Sequence, residues 1–255
     1  MTGAAPETPF EKPHLIPLDA VLAVLFSVSL VLLTLSFEPL LNNHLAWEVL
    51  CFLVPALVIL TVRQSFGTVF LPLTSPPSKA YAALSVLLSA TVLGLGTSGI
   101  IDNYFDVSPL AEEIEKEINA HPFYEQVFLF ALLPAVCEEA LFRGVILNSL
   151  KSMGKWISII LTATLFTIFH GSVELFVPIF AVSLALTVIG YEKGGLTLAM
   201  LCHFLHNFLN LLLMKFVPGD IGLPAAFGMT AAGLAATVLA FNVFNRISSR
   251  VEKEV

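Results

Sequence analysis

The chain has 255 residues, of which 57% are hydrophobic and only 12% are charged, and its mean hydropathy is +0.89. A soluble domain needs more polar side chains than this to cover its surface. The composition therefore excludes a soluble domain and predicts that the chain is embedded in lipid. The formal net charge is −7, and no cluster of Lys and Arg forms a stripe that could follow phosphates. Nucleic acid is therefore excluded as a partner.

About eight apolar runs are long enough, or nearly long enough, to cross a membrane. The hydrocarbon core is about 30 Å thick and takes roughly 20 residues of helix, because a helix rises about 1.5 Å per residue. In chain order the predicted spans are 20–37, 45–62, 80–101, 123–150, 156–170, 173–190, 196–214 and 223–244. We therefore predict an all-α fold, a polytopic transmembrane helix bundle of about eight spans.

Two stretches between the predicted spans have a different character. The prolines and hydroxyl residues of 72–78 predict a loop, because proline removes a backbone donor and ends a helix. In 108–121, Leu110, Ile114 and Ile118 recur at helical spacing opposite a row of glutamates. That pattern predicts a short amphipathic helix outside the bilayer.

The basic residues are distributed unevenly between the two sides of the predicted bundle. With eight spans, one side carries Lys12, Arg63, Lys79, Lys151, Lys155, Lys193, Arg246, Arg250 and Lys253, and the other carries Lys116 and Lys215. Cytoplasmic loops carry the excess of Lys and Arg in membrane proteins. We therefore expect an integral, multi-pass protein of the plasma (inner) membrane with both termini in the cytoplasm.

Three charged residues lie inside the fourth apolar run. Each ionised side chain near a helix centre costs about 2.5–3.5 kcal/mol, so these charges need partners. Glu139 and Arg143 are four residues apart and can pair on one helical face. Glu138 points about 100° away from Glu139 and needs a partner from another helix. The alternative is a purely structural role, in which these charges fix helix packing or mark a helix end.

Two later apolar runs supply candidate partners. Phe166 and His170 share one helical face, although a single histidine of this kind is more often a hydrogen-bonded core residue than a catalytic one. The seventh run places four polar side chains within about 100° of one another around a helix, namely His203, His206, Asn207 and Asn210. Packing alone would account for one or two of them, whereas four together favour a functional site.

These residues resemble, in order, the three motifs of the CAAX protease and bacteriocin-processing family, to which the Ras-converting endopeptidase of prenylated proteins belongs. The motifs are Glu138-Glu139-x-x-x-Arg143, Phe166-x-x-x-His170 and His203-x-x-x-Asn207. His206-x-x-x-Asn210 repeats the spacing of the third motif and is the alternative to it. We prefer His203 and Asn207.

The resemblance implies an intramembrane endopeptidase that hydrolyses a peptide bond with a glutamate-activated water. In this family pattern Glu138 is the general base, helped by His170, while His203 and Asn207 hold the oxyanion. Glu139 and Arg143 would support and orient the base. The expected partners are the lipid bilayer and a peptide or membrane-protein substrate, prenylated or not. We expect no cofactor and no metal.

The resemblance also suggests a division of the chain. Residues 1–104 would supply N-terminal membrane helices and loops, and residues 105–255 the CAAX-protease-like catalytic core with a C-terminal helix, all within one integrated bundle.

Three other functions compete with this one. A zinc-dependent intramembrane protease is possible because Glu and His bind zinc, although no HExxH motif is present. A non-catalytic membrane scaffold or bacteriocin-immunity-type protein would use the polar residues for packing. A transporter would use Glu138 and His170 to relay protons, but its halves usually repeat, and no repeat is seen in this sequence.

Overall fold

The structure, a computed structural model, describes residues 15–37, 43–71, 76–105, 109–192, 195–217 and 219–254. Within these ranges all regular secondary structure is helical. Lys12, Lys193 and residues 72–75 of the predicted loop lie outside the described residues, as do the side chains of Leu110 and Lys253.

The described residues form nine helices and one additional helical turn, Phe66–Val69. In chain order the helices are α1 Pro17–Leu35, α2 His44–Val62, α3 Pro77–Tyr104, α4 Pro109–Asn119, α5 123–153, α6 Lys155–Phe169, α7 Phe176–Tyr191, α8 Gly195–Phe216 and α9 Leu223–Glu254. The all-α fold class is confirmed. Each of the eight apolar runs is a helix, and α4 is the predicted amphipathic helix.

The helices differ in their ability to cross a bilayer. By length and composition, α1, α2, α3, α8 and α9 are long and apolar enough to do so. Helices α6 and α7 have only 15 and 16 residues, which corresponds to about 23 Å of rise. Because this is less than the thickness of the hydrocarbon core, we expect polar residues at the ends of α6 and α7 to lie within the depth of the membrane.

Hydrogen bonds and ion pairs define two ends of the bundle. At one, the Arg63 end, Arg63 Nη2 lies 2.8 Å from Asp19 Oδ1 and joins the end of α2 to the start of α1. At the other, the Ile118 end, Gln126 Nε2 donates to the Ile118 carbonyl at 3.0 Å and Asn103 Nδ2 donates to the Ile221 carbonyl at 2.8 Å. Helix α8 runs between these two ends, because Thr197 Oγ1 near its start donates to the Leu71 carbonyl at 2.9 Å and Lys215 near its end lies 4.3 Å from the Phe123 ring centre.

We expect reporters placed at the two ends to lie on opposite sides of the membrane. A reporter after Val255 should be cytoplasmic, and one inserted within 112–117 should be outside, because the basic residues are concentrated on the first side. Paired fusions to alkaline phosphatase and to a fluorescent protein measure this. Both reporters active on the same side would contradict the eight-span arrangement.

Helices α3 and α9 pack through glycine. A Cβ atom on Gly96 would lie 2.5 Å from the Thr230 backbone nitrogen, and one on Gly233 would lie 2.5 Å from the Leu93 nitrogen. Small residues at such crossings let the two backbones approach, which is how many helices associate in lipid.

Substitution of Gly96 by leucine should destabilise the bundle. The new side chain would have to push the α9 backbone away, and overpacking of this kind costs about 1–3 kcal/mol. The free energy of unfolding in detergent, measured by denaturant titration, should fall by that amount. Gly228→Leu is the matched control, since a Cβ there meets nothing within 4 Å. Equal stability of the two variants would contradict the close α3–α9 approach.

Candidate active site

Helix α5 carries its two adjacent glutamates between two widened turns, and Arg143 lies within the second of these turns. Glu138 and Glu139 end the α-helical segment Leu133–Glu139, which is flanked by π-helical turns at Val127–Leu132 and Ala140–Leu147. Pro134 removes one backbone donor near the start of that segment, and proline is a known cause of interrupted helix geometry. π-helical turns inside helices are frequent at functional sites.

The predicted pairing of Glu139 with Arg143 is present. Arg143 Nη1 lies 2.7 Å from Glu139 Oε1, and both side chains are fully buried. The guanidinium also donates to the Ser183 carbonyl and hydroxyl, each at 2.9 Å, and to Thr187 Oγ1 at 3.0 Å. Its carbon lies 4.5 Å from the centre of the Phe166 ring. Arg143 thus ties α5 to α7 with its charge compensated.

His203 connects α8 to both glutamates. Its Nδ1 lies 3.0 Å from Glu139 Oε1, within hydrogen-bond distance, and its Nε2 lies 3.8 Å from Glu138 Oε2. The Oε2 atoms of Glu138 and Glu139 are buried and accept no hydrogen bond from the described residues. Glu138 therefore keeps an oxygen available for another partner.

His170 stands at the end of α6 with one defined ring nitrogen. Its Nδ1 lies 2.9 Å from the Phe166 carbonyl. A carbonyl can only accept, so Nδ1 must donate, and in the neutral ring Nε2 carries the free lone pair. That nitrogen can accept a hydrogen bond from water.

A cavity of about 270 Å³ brings part of the predicted site together. His170, His203 and Asn207 line it, with an apolar wall that includes Ile179 and Val182. Glu138, Glu139 and Arg143 are buried beside the cavity rather than on its wall, and the two glutamates approach it through their contacts with His203.

Residues 121–209 match the family model described as type II CAAX prenyl endopeptidase Rce1-like. The match supports the CAAX protease family for this chain, and the members of that family are intramembrane endopeptidases and therefore hydrolases. The matched segment includes all six predicted site residues but ends before Asn210. Neither a curated protein nor a solved structure matches the chain.

The two His-x-x-x-Asn pairs of α8 have different surroundings. His203 contacts the glutamates, whereas His206 Nδ1 lies 3.0 Å from Thr91 Oγ1 on α3 and its Nε2 lies 3.1 Å from Asn210 Nδ2. Asn207 lines the cavity, and its side chain has no hydrogen-bond partner within the described part of the chain. Of the two histidines, His203 is therefore the one that contacts the glutamates.

Some residues around this candidate site were not predicted from the sequence. Ser183 and Thr187 accept hydrogen bonds from Arg143. Their separation of four positions within an apolar run is the sequence pattern from which they could have been predicted. Glu48 in α2 is another such residue: it is only 4% exposed, lies 3.9 Å from His44, and belongs to a segment that packs against Leu133–Glu139 of α5. The presence of this glutamate inside the second apolar run is the sequence feature from which it could have been predicted.

A zinc-dependent endopeptidase would need three or four converging ligands. Among the residues that the structure describes, no three His, Cys, Asp or Glu side chains are placed to hold one metal ion. Cys51, Cys137 and Cys202, which share no CxxC spacing in the sequence, are buried free thiols. The donor set in the described ranges does not fit a zinc site.

Proposed function

We propose that this CAAX-type endopeptidase cleaves its substrate with a water molecule activated by Glu138. The observation that carries the proposal is the position of His203, which contacts both buried glutamates and lines a cavity with His170 and Asn207. These are the parts that hydrolysis without a Ser or Cys nucleophile needs, namely a base, a polar cavity and donors for an oxyanion.

The proposed reaction proceeds through a tetrahedral intermediate. The Glu138 carboxylate takes a proton from water, aided by the free Nε2 of His170, and the water oxygen adds to the peptide carbonyl carbon. The carbonyl oxygen becomes the oxyanion, which His203 and Asn207 stabilise. Glu138 then gives the proton to the peptide nitrogen, and the carbon–nitrogen bond breaks to release a carboxylic acid and an amine.

The protonation of His203 matters for this step. Its Nδ1 is directed to Glu139, so only the imidazolium form donates at both nitrogens, with Nδ1 to Glu139 and Nε2 toward the oxyanion. Each oxyanion donor is worth about 2.7–4 kcal/mol in the transition state. Glu139 would hold the ring in position, and Arg143 would hold Glu139.

The substrate we propose is a peptide or membrane protein segment that enters the cavity from the membrane. The apolar wall at Ile179, Val182 and Leu186 suits a hydrophobic substrate. The family description names prenyl endopeptidases, so a farnesylated CAAX peptide is the first probe, with the same peptide lacking the farnesyl group beside it. We place the enzyme in the plasma (inner) membrane with both termini in the cytoplasm.

Cleavage in proteoliposomes tests the proposed function. The purified protein should release the C-terminal fragment from at least one of the two peptides, as measured by mass spectrometry. Pre-treatment with a strong chelator such as 1,10-phenanthroline should leave the rate unchanged, because Glu138 and His170 activate the water without a metal. Loss of activity that zinc restores would instead establish the metalloprotease.

A further inference from the structure

A second polar group lines the far part of the cavity and is not used by the proposed reaction. It consists of Thr91 on α3 with His206 and Asn210 on α8, all of which line the cavity that also contains His203 and Asn207. We define these three residues as the Asn210 cluster. It joins two helices by side-chain hydrogen bonds and presents an amide to the cavity.

The hydrogen bonds of the Asn210 cluster can run in only one direction. Asn210 Nδ2 can only donate, so His206 Nε2 accepts at 3.1 Å and the ring proton is on Nδ1. Nδ1 then donates to Thr91 Oγ1 at 3.0 Å, and the Thr91 hydroxyl donates to the Leu87 carbonyl at 3.0 Å. Both nitrogens of His206 are occupied, which holds the neutral ring and the Asn210 amide in one orientation.

Asn210 keeps one donor hydrogen and its acceptor oxygen free for a ligand. An amide side chain has two donor hydrogens and an acceptor oxygen, and His206 uses one hydrogen. Within the described residues, the other hydrogen and Oδ1 have no partner, and Oδ1 is not a buried atom. The free groups are one donor and one acceptor, the same combination that a peptide backbone unit offers.

The charge of the cavity indicates what kind of ligand it binds. No Lys, Arg, Asp or Glu is among the described residues that line it. The imidazolium of His203 lies about 10.5 Å away along α8, so a carboxylate or phosphate group placed beside Asn210 would lose its hydration without gaining an adjacent cation, which is costly in a buried site. A neutral peptide unit, by contrast, can have both of its polar groups satisfied.

The spacing along α8 relates the Asn210 cluster to the reaction. His203 and Asn210 are seven positions apart on α8, a rise of about 10.5 Å. An extended peptide advances about 3.3 Å per residue, so this distance equals about three residues. The direction is toward the Ile118 end, where Lys215 of the same helix lies 4.3 Å from the Phe123 ring centre.

From these observations we infer that Asn210 is a substrate-binding residue that hydrogen-bonds a neutral backbone amide of the peptide about three residues from the scissile bond. His206 and Thr91 are positioning residues that orient the Asn210 side chain. The inference rests on the proposed function, since it places the peptide relative to His203 and Asn207.

An ester scan of the substrate tests the inference. The probe is whichever of the two CAAX-type peptides the wild type cleaves, extended so that at least four residues lie on each side of the cleaved bond. Single backbone amides are replaced by esters, which removes one N–H at a time. In the wild type, KM should rise about three- to tenfold for the ester about three residues from the cleaved bond on one side, as expected for one lost hydrogen bond.

Asn210→Leu should remove this sensitivity. The variant should bind the all-amide peptide with a KM raised by about the same factor and should show no further rise with the ester, whereas kcat changes little. Thr91→Val should reduce the ester effect in part, because Asn210 remains but its support is weakened. The control Asn242→Leu, on α9, removes an exposed amide that bonds only to its own helix and should behave as wild type.

The possible outcomes separate this inference from the proposed function. A full ester effect that persists in Asn210→Leu, or a wild-type scan with no sensitive position, overturns the inference while the peptidase mechanism stands. If Asn210→Leu does not fold, the wild-type scan and Thr91→Val still decide the question. Absence of cleavage by the wild type would count against the proposed function itself.

Discussion

Glu138→Gln is expected to lower the rate of peptide cleavage at least about 10²-fold while the protein stays folded and inserted. Glutamine keeps the size and much of the hydrogen-bonding shape of glutamate but cannot take a proton, and positioned proton transfer contributes about 10²–10⁴ in rate. The measurement is single-turnover cleavage in proteoliposomes, together with the unfolding midpoint of the variant. The midpoint should not fall, since the Oε2 atom of Glu138 has no donor among the described residues to lose.

Glu192→Gln is the matched control for this prediction. Glu192 and Glu138 are equally buried, each with 7% of its surface exposed, but Glu192 lies 3.4 Å from Lys155 at the junction with α6, away from the cavity. The control should keep its cleavage rate within about twofold, because no transition-state contact is removed. Equal losses in both variants would show that burial of the glutamate, rather than its basicity, is what matters.

The same variant separates the enzyme from a scaffold. A scaffold or immunity factor needs the Glu138 side chain only for packing, so Glu138→Gln would retain its cellular role. Full cellular function in the stably expressed variant, combined with failure of the wild type to cleave either peptide, would defeat the mechanism based on Glu138.

Arg143→Ala is expected to reduce both stability and activity. Removing one partner of a buried ion pair costs about 3–5 kcal/mol, because Glu139 would be left buried without its cation. The hydroxyls of Ser183 and Thr187 would lose their donor as well. The free energy of unfolding in detergent and the amount of protein recovered from membranes should fall together with cleavage.

Arg63→Ala provides the comparison. Arg63 also pairs with a buried carboxylate, Asp19, but 34% of the Arg63 side chain is exposed at the Arg63 end. Water can replace much of what is lost there, so we expect a cost of about 1 kcal/mol or less and unchanged cleavage. A second comparison is Glu139→Gln combined with Arg143→Met, which removes both charges and should recover part of the lost stability without recovering activity. If Arg143→Ala and Arg63→Ala have the same free energy of unfolding, the buried pair of Glu139 and Arg143 does not have a central role in stability.

The fold class was predictable because the lipid environment leaves few choices. A chain of this hydropathy must satisfy its backbone within each apolar segment, so apolar runs become helices. All eight runs and the amphipathic stretch before His121 are helices in the structure. Contacts within one helix were equally predictable. The separation of four residues between Glu139 and Arg143 predicts their contact, and this contact is present even though widened turns interrupt α5.

Contacts between side chains on different helices could not be predicted from the spacing of residues in the sequence. His203 and His206 are three residues apart in the same apolar run, and the motif spacing fits either of them with its asparagine. The packing of α8 against α5 on one side and α3 on the other separates them, so that His203 meets Glu139 and His206 meets Thr91. In the same way, the helical period could show that Arg143 reaches Glu139, but only the packing of α7 brings Ser183 to its other face. Helical periodicity determines which side chains share a face, whereas the neighbour on that face depends on how the helices pack.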